Sequence, residues 1–355
     1  MNAAVVGTGR MGQTIAWAME TLQCDSLTLA DTDENNLKTC SRNAKCPTNP
    51  YLISRDTPTN YSFLRDVNVV ISALPYHQNE NLAHYCIDNR IPYCDLGGHR
   101  QVSRNINDYA TTNGKAIVMT DLGLAPGWVN IIAEYGYWLS EIFVDGGTTS
   151  PPKHIEMMVG GLPIHPTNYL KYNCTWSYDG LVNEYLDDCF ILSNGKRREV
   201  RGMDGLIPVD TKIGTLEAFY TSGGAAHTIE TMQQRGVRSC VYRTLRYPGH
   251  REAVRFLVNE CGLSRDALAV VFEQSCPAAD DLVIIKVEVD NWKEEIVIEC
   301  NSRFSAMQMA TAFPISAVAH LIGTHVIKSD KPLAYKDIPY TEFKQKLDFL
   351  FEEIK

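Results

Sequence analysis

A loop with regularly spaced glycines near the start of the chain is the first feature whose residue types indicate chemistry. Its members are Gly7, Thr8, Gly9, Arg10, Met11 and Gly12. They follow the apolar run Ala3–Val6 and precede a segment of helix length. In this pattern the first glycine permits a tight turn, the second lets the backbone approach a pyrophosphate, and the third lets the helix pack on the strand. The first helical N–H groups then face the phosphates, so Arg10 and Met11 are predicted to contact a dinucleotide together with the three glycines.

An acidic residue stands 19 positions beyond Gly12, at Asp31, where a second apolar run ends. A carboxylate at this place accepts hydrogen bonds from the adenosine ribose hydroxyls and repels a 2′-phosphate. The residues that follow, 32–34, are Thr-Asp-Glu and offer no cation to accept that phosphate. NAD is therefore the predicted cofactor, rather than NADP. The alternative is a glycine turn of a generic α/β fold with a solvated aspartate.

Three further segments, 72–77, 95–99 and 121–127, are rich in Gly, Pro or Ala and follow predicted strands. Ligands of open α/β sheets bind beyond the carboxyl ends of the strands, and polar loops placed there are more often part of a site than of a scaffold. Five residues of these segments are predicted to contact the cofactor: Ala73, Leu74, Pro75, Gly97 and Gly123.

The same loops carry the candidates for proton transfer. His99 follows two glycines and is the candidate base, because histidine titrates near neutral pH; a loop histidine bonded to backbone is the alternative. Asp121 is expected beside His99, where it would orient the imidazole or bind a substrate ammonium. Asp95 is assigned the structural role of bonding loop amides. Tyr76 and His77 are expected near the nicotinamide, although His77 could simply begin the next helix.

The elements that must position these loops alternate between short apolar runs and amphipathic segments over the first 120 residues. The predicted strands are Ala3–Val6, Ser26–Ala30, a weak one at Tyr51–Ser54, Val67–Ala73, Pro92–Cys94 and Ala116–Met119. The predicted helices are Met11–Leu22, Glu34–Asn43, Gln78–Asn89 and Val102–Asn113. Near-continuous apolar runs of this length are typical of a parallel sheet covered on both faces. Residues 1–125 are therefore predicted to form a doubly wound α/β domain of the Rossmann type.

From about residue 145 the pattern changes to alternating strands joined by hairpin turns. The predicted strands are His154–Val159, Cys240–Arg246, Leu282–Val289 and Glu295–Cys300, and the turns are Ser193–Gly195 and Asp290–Asn291. This pattern predicts a second α+β domain over residues 126–302 with a mixed or largely antiparallel sheet. An apolar helix, Phe304–Ile322, and an amphipathic one, Tyr340–Ile354, are expected to return to the first domain and complete it with residues from about 303 to 355.

Composition excludes several classes of partner. The 355 residues include 33 basic and 42 acidic ones without a basic run, so neither nucleic acid nor an anionic membrane surface is an expected partner. We expect no secretory signal, and no apolar stretch is expected to approach the ~20 residues of a membrane span. The 11 scattered cysteines lack metal-ligand spacing, so we expect no metal, reduced thiols and a cytoplasmic location.

Two of these loops and four later segments together resemble the saccharopine dehydrogenase/reductase-like family. The segments are Asp95–His99, Asp121–Asn130, Gly160–Pro163, Leu216–Gly224, Thr244–His250 and Ile315–Gly323. The resemblance runs from residue 1 to about 325 and implies a second domain that holds substrate and forms a homodimer or homotetramer. Within the family it is strongest to the lysine 6-dehydrogenase branch, because the saccharopine-reducing branch usually has a Tyr-containing segment where this chain has Leu96–His99. The resemblance thus implies NAD-dependent oxidative deamination of the ε-amine of L-lysine.

This reaction places requirements on the side chains. Loss of hydride from the carbon that bears the amine needs the free amine, so a base must accept a proton, and a second proton transfer must activate water for hydrolysis of the iminium. The α-carboxylate of an amino acid needs a cation, which arginine supplies in bidentate form. Arg246 is predicted to fill this role; Arg243, three positions earlier and so on the opposite strand face, is expected to be solvated. Trp176, Thr221 and Ser222 are expected to line the pocket, although core packing is the alternative for Trp176.

Two other functions stay open at this point. One is a saccharopine- or opine-type dehydrogenase that acts on a secondary amine joining two amino acids, a substrate whose extra carboxylates need more than one well-placed cation. The other is a catalytically silent NAD-binding protein. The titratable residues His99 and Asp121 argue against the second alternative, because a scaffold has no use for them at this edge of a sheet.

Overall fold

The protein is described by a computed structural model that covers residues 1–54, 60–114, 116–142, 151–174 and 176–355. The chain divides into two compact units. The first comprises Met1–Trp128 and Gln308–Lys355, and the second comprises Val129–Met307. The boundaries predicted from the sequence lay after residue 125 and near residue 303. Residues 126–128 therefore belong to the first unit and residues 303–307 to the second.

The first unit is built on six strands, β1 (Asn2–Val6), β2 (Ser26–Asp31), β3 (Thr48–Leu52), β4 (Val69–Ser72), β5 (Tyr93–Asp95) and β6 (Val118–Met119). All neighbouring pairs are parallel, in the order β3-β2-β1-β4-β5-β6. Four helices alternate with them: α1 (Arg10–Thr21), α2 (Glu34–Asn43), α3 (Asn79–Asp88) and α4 (Arg100–Asn113). This strand order is that of a doubly wound dinucleotide-binding sheet, so the predicted fold class is confirmed.

The strands of this sheet form because their residues can be buried on both faces. Ala4, Val6 and Val70 are fully buried and pack with Leu82 of α3 and Ile106 of α4 in one apolar cluster. Such runs are what sequence reasoning detects.

Strand β3 lies at the sheet edge, and there the prediction was wrong by three residues at its start. It begins at Thr48 rather than Tyr51, four of its five residues are exposed, and Pro50 within it cannot donate to a neighbour. An edge strand of this kind carries no apolar pattern to reveal its bounds.

The second unit opens with α5 (Trp128–Ile142), whose first residue still belongs to the first unit. Eight strands follow: β7 (His154–Pro163), β8 (Cys189–Ser193), β9 (Lys196–Val200), β10 (Ile207–Thr211), β11 (Gly214–Tyr220), β12 (Ser239–Arg246), β13 (Asp281–Val289) and β14 (Trp292–Glu299). Its other helices are α6 (Tyr178–Leu186), α7 (Thr228–Gln234), α8 (His250–Arg255) and α9 (Arg265–Ser275). The main path of the sheet is β10-β11-β12-β7-β13-β14, with β8 paired to β12 and β9. Only the β12–β7 pair among these described strands is parallel, so the predicted mixed sheet is confirmed.

Strand β12 lies between β11 and β7, and its two faces meet different apolar clusters. Leu245 packs with Met158 and Ile284 on one side. The residues on the other side, including Thr244 and Arg246, point toward the α6 region, where Tyr185 belongs to a second cluster. Alternation along one central strand thus separates two environments within a single unit.

The chain returns to the first unit through α10 (Ala306–Gly323) and α11 (Tyr340–Glu353). The Leu333 amide donates to the Val118 carbonyl of β6 at 2.8 Å, and the Phe351 ring stacks on Trp128 with centroids 5.9 Å apart. By length and composition α10 could cross a membrane, which corrects the expectation that no stretch comes close. It is 89% buried within the protein, as core helices are.

Candidate active site

The glycine loop has the geometry that an anion-binding turn needs. Gly7 adopts a φ of +92°, and a Cβ at Gly12 would stand 1.8 Å from the Gly7 carbonyl oxygen, so only glycine lets α1 pack this closely. Gly9 caps α1 without any side-chain hydrogen bond, and no described atom lies within 4 Å of a Cβ built on it. The start of α1 therefore presents open backbone, which fits the pyrophosphate of a dinucleotide.

Asp31 joins the end of β2 to this loop. Its Oδ2 accepts from the amide of Thr8 at 2.6 Å and from the Thr8 hydroxyl at 2.9 Å, and its Oδ1 accepts from the Asp33 amide at 2.8 Å. Asp33 in turn caps α2 through the amides of Asn35 and Asn36. Asp31 is 9% exposed, and its three accepted hydrogen bonds fix the shape of the loop. Thr8 was not assigned this supporting role from the sequence; the ribose contact stays a prediction.

The loop after β4 borders the glycine loop. A Cβ at Gly7 would stand 2.8 Å from the Ala73 carbonyl oxygen, and the Ser72 hydroxyl donates to Asn79 Oδ1 at 2.8 Å. Leu74 and Pro75 continue this loop toward Tyr76. The residues predicted to contact the cofactor here therefore lie at the same edge of the sheet as the glycine loop.

Tyr76 and His99 come together where the loops after β4 and β5 meet. Their rings stack with centroids 5.1 Å apart and planes 17° from parallel, and both side chains are exposed. Gly98, with a φ of +117°, adopts a backbone conformation that favours glycine, and a Cβ on it would be in ordinary van der Waals contact with the Tyr76 Cβ at 3.4 Å. The candidate base thus has an exposed imidazole that is held from one side by an aromatic ring.

Asp95 holds two loops with one carboxylate. Its Oδ1 accepts from the amides of Gly97 at 2.8 Å and Asp121 at 3.1 Å, and its Oδ2 accepts from the Tyr93 hydroxyl at 3.0 Å. The prediction that Asp95 bonds loop amides is confirmed. Complete burial, together with the nearby Asp121 carboxylate, raises the pKa of Asp95 to about 7.

Asp121 is a buried non-glycine residue with a φ of +63°. Its Oδ1 accepts from the Ser103 hydroxyl of α4 at 2.8 Å, and its carbonyl oxygen accepts from the Tyr335 hydroxyl at 2.8 Å. Burial raises the pKa of its carboxyl to about 6. Neighbours on several segments thus hold a backbone conformation that costs free energy by itself, an arrangement that clusters at functional sites.

Two expectations for this region need correction or stay open. Of the two roles predicted for Asp121, orienting the His99 imidazole is not found among the described residues, because its carboxylate bonds to Ser103 and Thr120 instead. Binding of a substrate ammonium by Asp121 stays a prediction. Gly97 lies against Asp121, where a Cβ would stand 2.2 Å from Oδ1, and Gly123 is surrounded by backbone oxygens of Leu96 and Pro126. Close packing explains both glycines, and their contact with the cofactor stays a prediction.

In the second unit, Arg246 is 3% exposed and held on several sides. Its Nε donates to the Tyr185 hydroxyl at 2.7 Å and its Nη1 to the Leu245 carbonyl at 2.9 Å. The guanidinium lies 4.7 Å from the Tyr172 ring centroid, and its Nη2 is 3.6 Å from Glu184 Oε2. The arginine predicted to bind a carboxylate is therefore rigid and buried.

His250 ends a hydrogen-bond chain that starts at Arg246. Its Nδ1 lies 2.6 Å from the Leu170 carbonyl oxygen, which can only accept, so Nδ1 carries the proton and Nε2 accepts from the Tyr185 hydroxyl at 2.8 Å. Burial and the Arg246 charge lower the pKa of His250 to about 3, and the ring is neutral. This histidine belongs to a segment singled out in the sequence, but its supporting role was not foreseen.

Arg243 is buried at 8% exposure, and the expectation that it is solvated was wrong. It bonds to the Glu156 carboxylate, to the Tyr220 hydroxyl at 3.1 Å and to the Gly205 carbonyl at 3.2 Å. The strand alternation that set Arg243 opposite Arg246 was right, but β12 is a central strand and both of its faces are covered.

Glu184 of α6 is a site residue that sequence reasoning missed. Its Oε1 accepts from the hydroxyls of Thr244 and Thr221, the latter at 3.2 Å, and its carbonyl accepts from the Ser222 amide at 2.8 Å. Trp176, which is 36% exposed, donates from Nε1 to the Tyr172 hydroxyl at 3.1 Å. Trp176, Thr221 and Ser222, which were predicted to line a pocket, thus lie around Glu184 and the Arg246 network. Glu184 belongs to no sequence motif, because its role depends on these tertiary contacts.

Two family models match consecutive parts of the chain. The saccharopine dehydrogenase NADP binding domain matches residues 3–119, and the saccharopine dehydrogenase C-terminal domain matches residues 123–342. The chain belongs to the saccharopine dehydrogenase family. A nicotinamide dinucleotide as the class of cofactor agrees with this assignment and with the open backbone at Gly9.

Curated relatives and a solved structure extend the comparison. The mitochondrial alpha-aminoadipic semialdehyde synthases of Rattus norvegicus and Mus musculus are 23% and 24% identical over 286 and 226 residues, which are 77% and 61% of this chain. The matches cover only 30% and 23% of those relatives, so the chain spans less than a third of their length. The apo saccharopine dehydrogenase (L-Glu forming) of Saccharomyces cerevisiae superposes with a TM-score of 0.77 at 17% identity, over 100% of this chain and 97% of that one. That likeness shows a shared fold.

Proposed function

We propose that this member of the family is an NAD-dependent dehydrogenase that oxidises the ε-amine of L-lysine to the semialdehyde, which cyclises to a piperideine carboxylate. The balanced reaction consumes the amine, NAD and water, and yields the aldehyde, ammonia, NADH and a proton. Bound NAD supplies the hydride acceptor. The homo-oligomer and the cytoplasmic location expected from the sequence stay predictions.

The observation that carries the choice of substrate is the charge balance of the second unit. Its buried arginines are Arg243, Arg246 and Arg251, and each has a carboxylate oxygen within 4 Å among the described residues. A substrate that joins two amino acids through a secondary amine would bring extra carboxylates, which need unbalanced cations. A substrate with a single carboxylate and its own ammonium fits this balance better.

The first unit supplies the groups for proton transfer. His99 has an exposed imidazole stacked on Tyr76. We assign to it the proton that the substrate ammonium must lose before hydride leaves its carbon. Asp121 and Asp95 have pKa values raised to about 6 and about 7, which lets a carboxyl gain or lose a proton near neutral pH. We assign the activation of water for iminium hydrolysis to Asp121.

The choice of NAD is supported by the acidic end of β2. Asp31 is followed by Asp33, which caps α2, and by Glu34, so the end of β2 and the start of α2 carry three acidic residues that disfavour a 2′-phosphate. Replacing Asp31 with Asn keeps an acceptor for Thr8 and removes the charge. We expect Asp31→Asn to raise the ratio of kcat/KM for NADP to that for NAD by roughly tenfold, about 1.4 kcal/mol. A wild-type enzyme that uses NADP as well as NAD would contradict the assignment.

The activity is tested with the purified chain, NAD and L-lysine, followed by the absorbance of NADH. We expect NADH and ammonia in equal amounts. Oxidation of saccharopine instead of lysine would overturn this proposal in favour of a saccharopine-type dehydrogenase. NAD binding without either reaction would indicate a catalytically silent NAD-binding protein. His99→Ala is expected to lower kcat by roughly 10²- to 10⁴-fold. Unchanged turnover would remove His99 as the base, and His325→Ala, at an exposed histidine outside the predicted site, serves as the control.

A further inference from the structure

Arg246 and Glu184 face each other without closing a direct hydrogen bond. The distance from Arg246 Nη2 to Glu184 Oε2 is 3.6 Å, beyond the usual range of an N–H···O bond. The other groups of both side chains are engaged: Arg246 through Nε and Nη1, and Glu184 through Oε1. One donor and one acceptor of opposite charge are therefore left side by side on the same face of β12.

Their surroundings fix both groups in place. Tyr185 and His250 hold the guanidinium through a chain that ends on the Leu170 carbonyl, and the hydroxyls of Thr221 and Thr244 hold the carboxylate. Rigid groups of this kind lose little entropy when a ligand binds. The Glu184 side chain keeps 14% exposure, and it lies beside the loop 221–224, where Gly223 is exposed with no described atom within 4 Å of a Cβ built on it.

We propose that Arg246 and Glu184 form a clamp for the head group of an α-amino acid. Its α-carboxylate would accept from Arg246 Nη2, and its α-ammonium would donate to Glu184 Oε2. The two ligand charges sit on one carbon, so they match a cation and an anion held side by side, and the bound pair leaves no net charge buried. This inference deepens the proposed function and rests on it for the reacting ε-amine, because Glu184 would select substrates that carry an α-ammonium.

A second pair of the same residue types shows why this one is suited to binding. Arg243 lies on the opposite face of β12 from Arg246 and bonds directly to Glu156 of the neighbouring strand β7. Tyr220 and the Gly205 carbonyl occupy further donors of Arg243, and His154 Nε2 lies 3.3 Å from Glu156 Oε2. This closed pair leaves no comparable gap, so Glu156→Gln is the matched control for Glu184→Gln.

The test uses lysine analogues that each lack one group. 6-Aminohexanoate lacks the α-ammonium, and 1,5-diaminopentane lacks the α-carboxylate. We expect Glu184→Gln to raise KM for L-lysine roughly 10- to 100-fold and to leave KM for 6-aminohexanoate within about twofold. Arg246→Lys should raise KM for L-lysine and 6-aminohexanoate, but not for the diamine. Glu156→Gln should leave the ratios between these substrates unchanged. Equal losses for L-lysine and 6-aminohexanoate in Glu184→Gln would overturn the clamp.

A ligand that cannot react separates the clamp from the proposed function. L-Norleucine keeps the head group and lacks the ε-amine, so its binding to the enzyme with NADH can be titrated calorimetrically whether or not lysine is oxidised. We expect binding by the wild type and by Glu156→Gln, and a loss of at least tenfold in Glu184→Gln with an unchanged melting temperature. If the wild type does not oxidise lysine but Glu184→Gln still loses norleucine binding, the proposed function is wrong and the clamp is supported. If the wild type oxidises lysine but Glu184→Gln binds norleucine normally, the proposed function is supported and the clamp is wrong.

Discussion

The carboxyl edge of the parallel sheet has two halves that use aspartates differently. At the β1–β2 half, Asp31 accepts three hydrogen bonds from Thr8 and Asp33 and so fixes the glycine loop. At the β5–β6 half, Asp95 and Asp121 are buried close together, and the pKa values of both are raised. A carboxylate surrounded by N–H donors is suited to a permanent structural charge, whereas a buried pair of acids is suited to changes of protonation.

The two halves of this sheet edge supply different chemical groups. The β1–β2 half offers backbone amides and a carboxylate held by three hydrogen bonds, a combination suited to holding a ligand in place. The β5–β6 half offers Asp121 in a strained conformation, and His99 stands at the start of the neighbouring helix. The two halves can therefore be altered separately, and the following variants do so.

The largest effect is expected at the β1–β2 half, from Gly12→Ala. The new Cβ would meet the Gly7 carbonyl oxygen at 1.8 Å, and backbone on both sides cannot move without separating α1 from β1. We expect a loss of more than about 4 kcal/mol in the free energy of unfolding, measured by urea denaturation. Gly9→Ala is the control, because its Cβ meets no described atom within 4 Å; it should keep its stability and lose cofactor affinity. Normal folding of Gly12→Ala would contradict the close packing of the loop.

An intermediate effect is expected at the β5–β6 half, from pH. The folded pKa values of Asp95 and Asp121, about 7 and about 6, lie above the usual value of 3.8. The folded state therefore binds more protons than the unfolded state between about pH 4 and 7, so the free energy of unfolding falls as pH rises through this window. For Asp95 the total is on the order of 4 kcal/mol.

Asp95→Asn isolates this contribution, because the amide stays neutral and can still accept from Gly97 and Asp121. We expect its stability to depend less on pH than that of the wild type between pH 4 and 7, as measured by urea midpoints. Asp66→Asn, at an exposed aspartate of the same unit, is the control variant. An unchanged slope in Asp95→Asn would mean that Asp95 is ionised throughout, and the contrast between the two halves would then disappear.

The smallest effect is expected from Tyr335→Phe. The change removes the donor to the buried Asp121 carbonyl oxygen and leaves that acceptor without this bond, at a cost of about 1–2 kcal/mol. Tyr109→Phe, which removes an exposed hydroxyl bonded to Asp88 at 2.9 Å, should cost less than about 0.5 kcal/mol. Thermal unfolding of both variants makes the comparison. Equal shifts in melting temperature would show that Asp121 does not depend on Tyr335.

Much of the first unit could be predicted because its signals are local. The bounds of α2 were predicted without error, since Asp33 supplies the capping side chain and the helix follows it directly. The glycine loop was recognised from the spacing of its three glycines between a strand and a helix. In the second unit, strand β9 was not predicted, because its sequence Lys-Arg-Arg-Glu-Val is almost entirely exposed and has no apolar alternation. The turn at Asn194–Gly195 was the only local sign of the β8–β9 hairpin.

Residues of the candidate site could be predicted only where they belong to a distinctive sequence motif. Arg246 and Asp121 lie in distinctive segments, and the structure places both among buried polar contacts. Glu184 and Tyr335 lie outside any motif, and Tyr335 reaches Asp121 across 214 positions of sequence. Such contacts arise from tertiary packing, which periodicity and spacing do not encode. The error at Arg243 has the same origin, because a central strand buries both faces whatever residues it carries.

The division of the first unit between the two ends of the chain affects the order in which the protein can fold during synthesis. The segment Val129–Met307 is contiguous, so the second unit has all of its residues before residues 308–355 are made. The first unit must wait for Gln308–Lys355, which supply the Leu333 amide on β6 and the Phe351 ring on Trp128. Although the glycine loop is translated before the second unit, the sheet that carries it is completed after that unit.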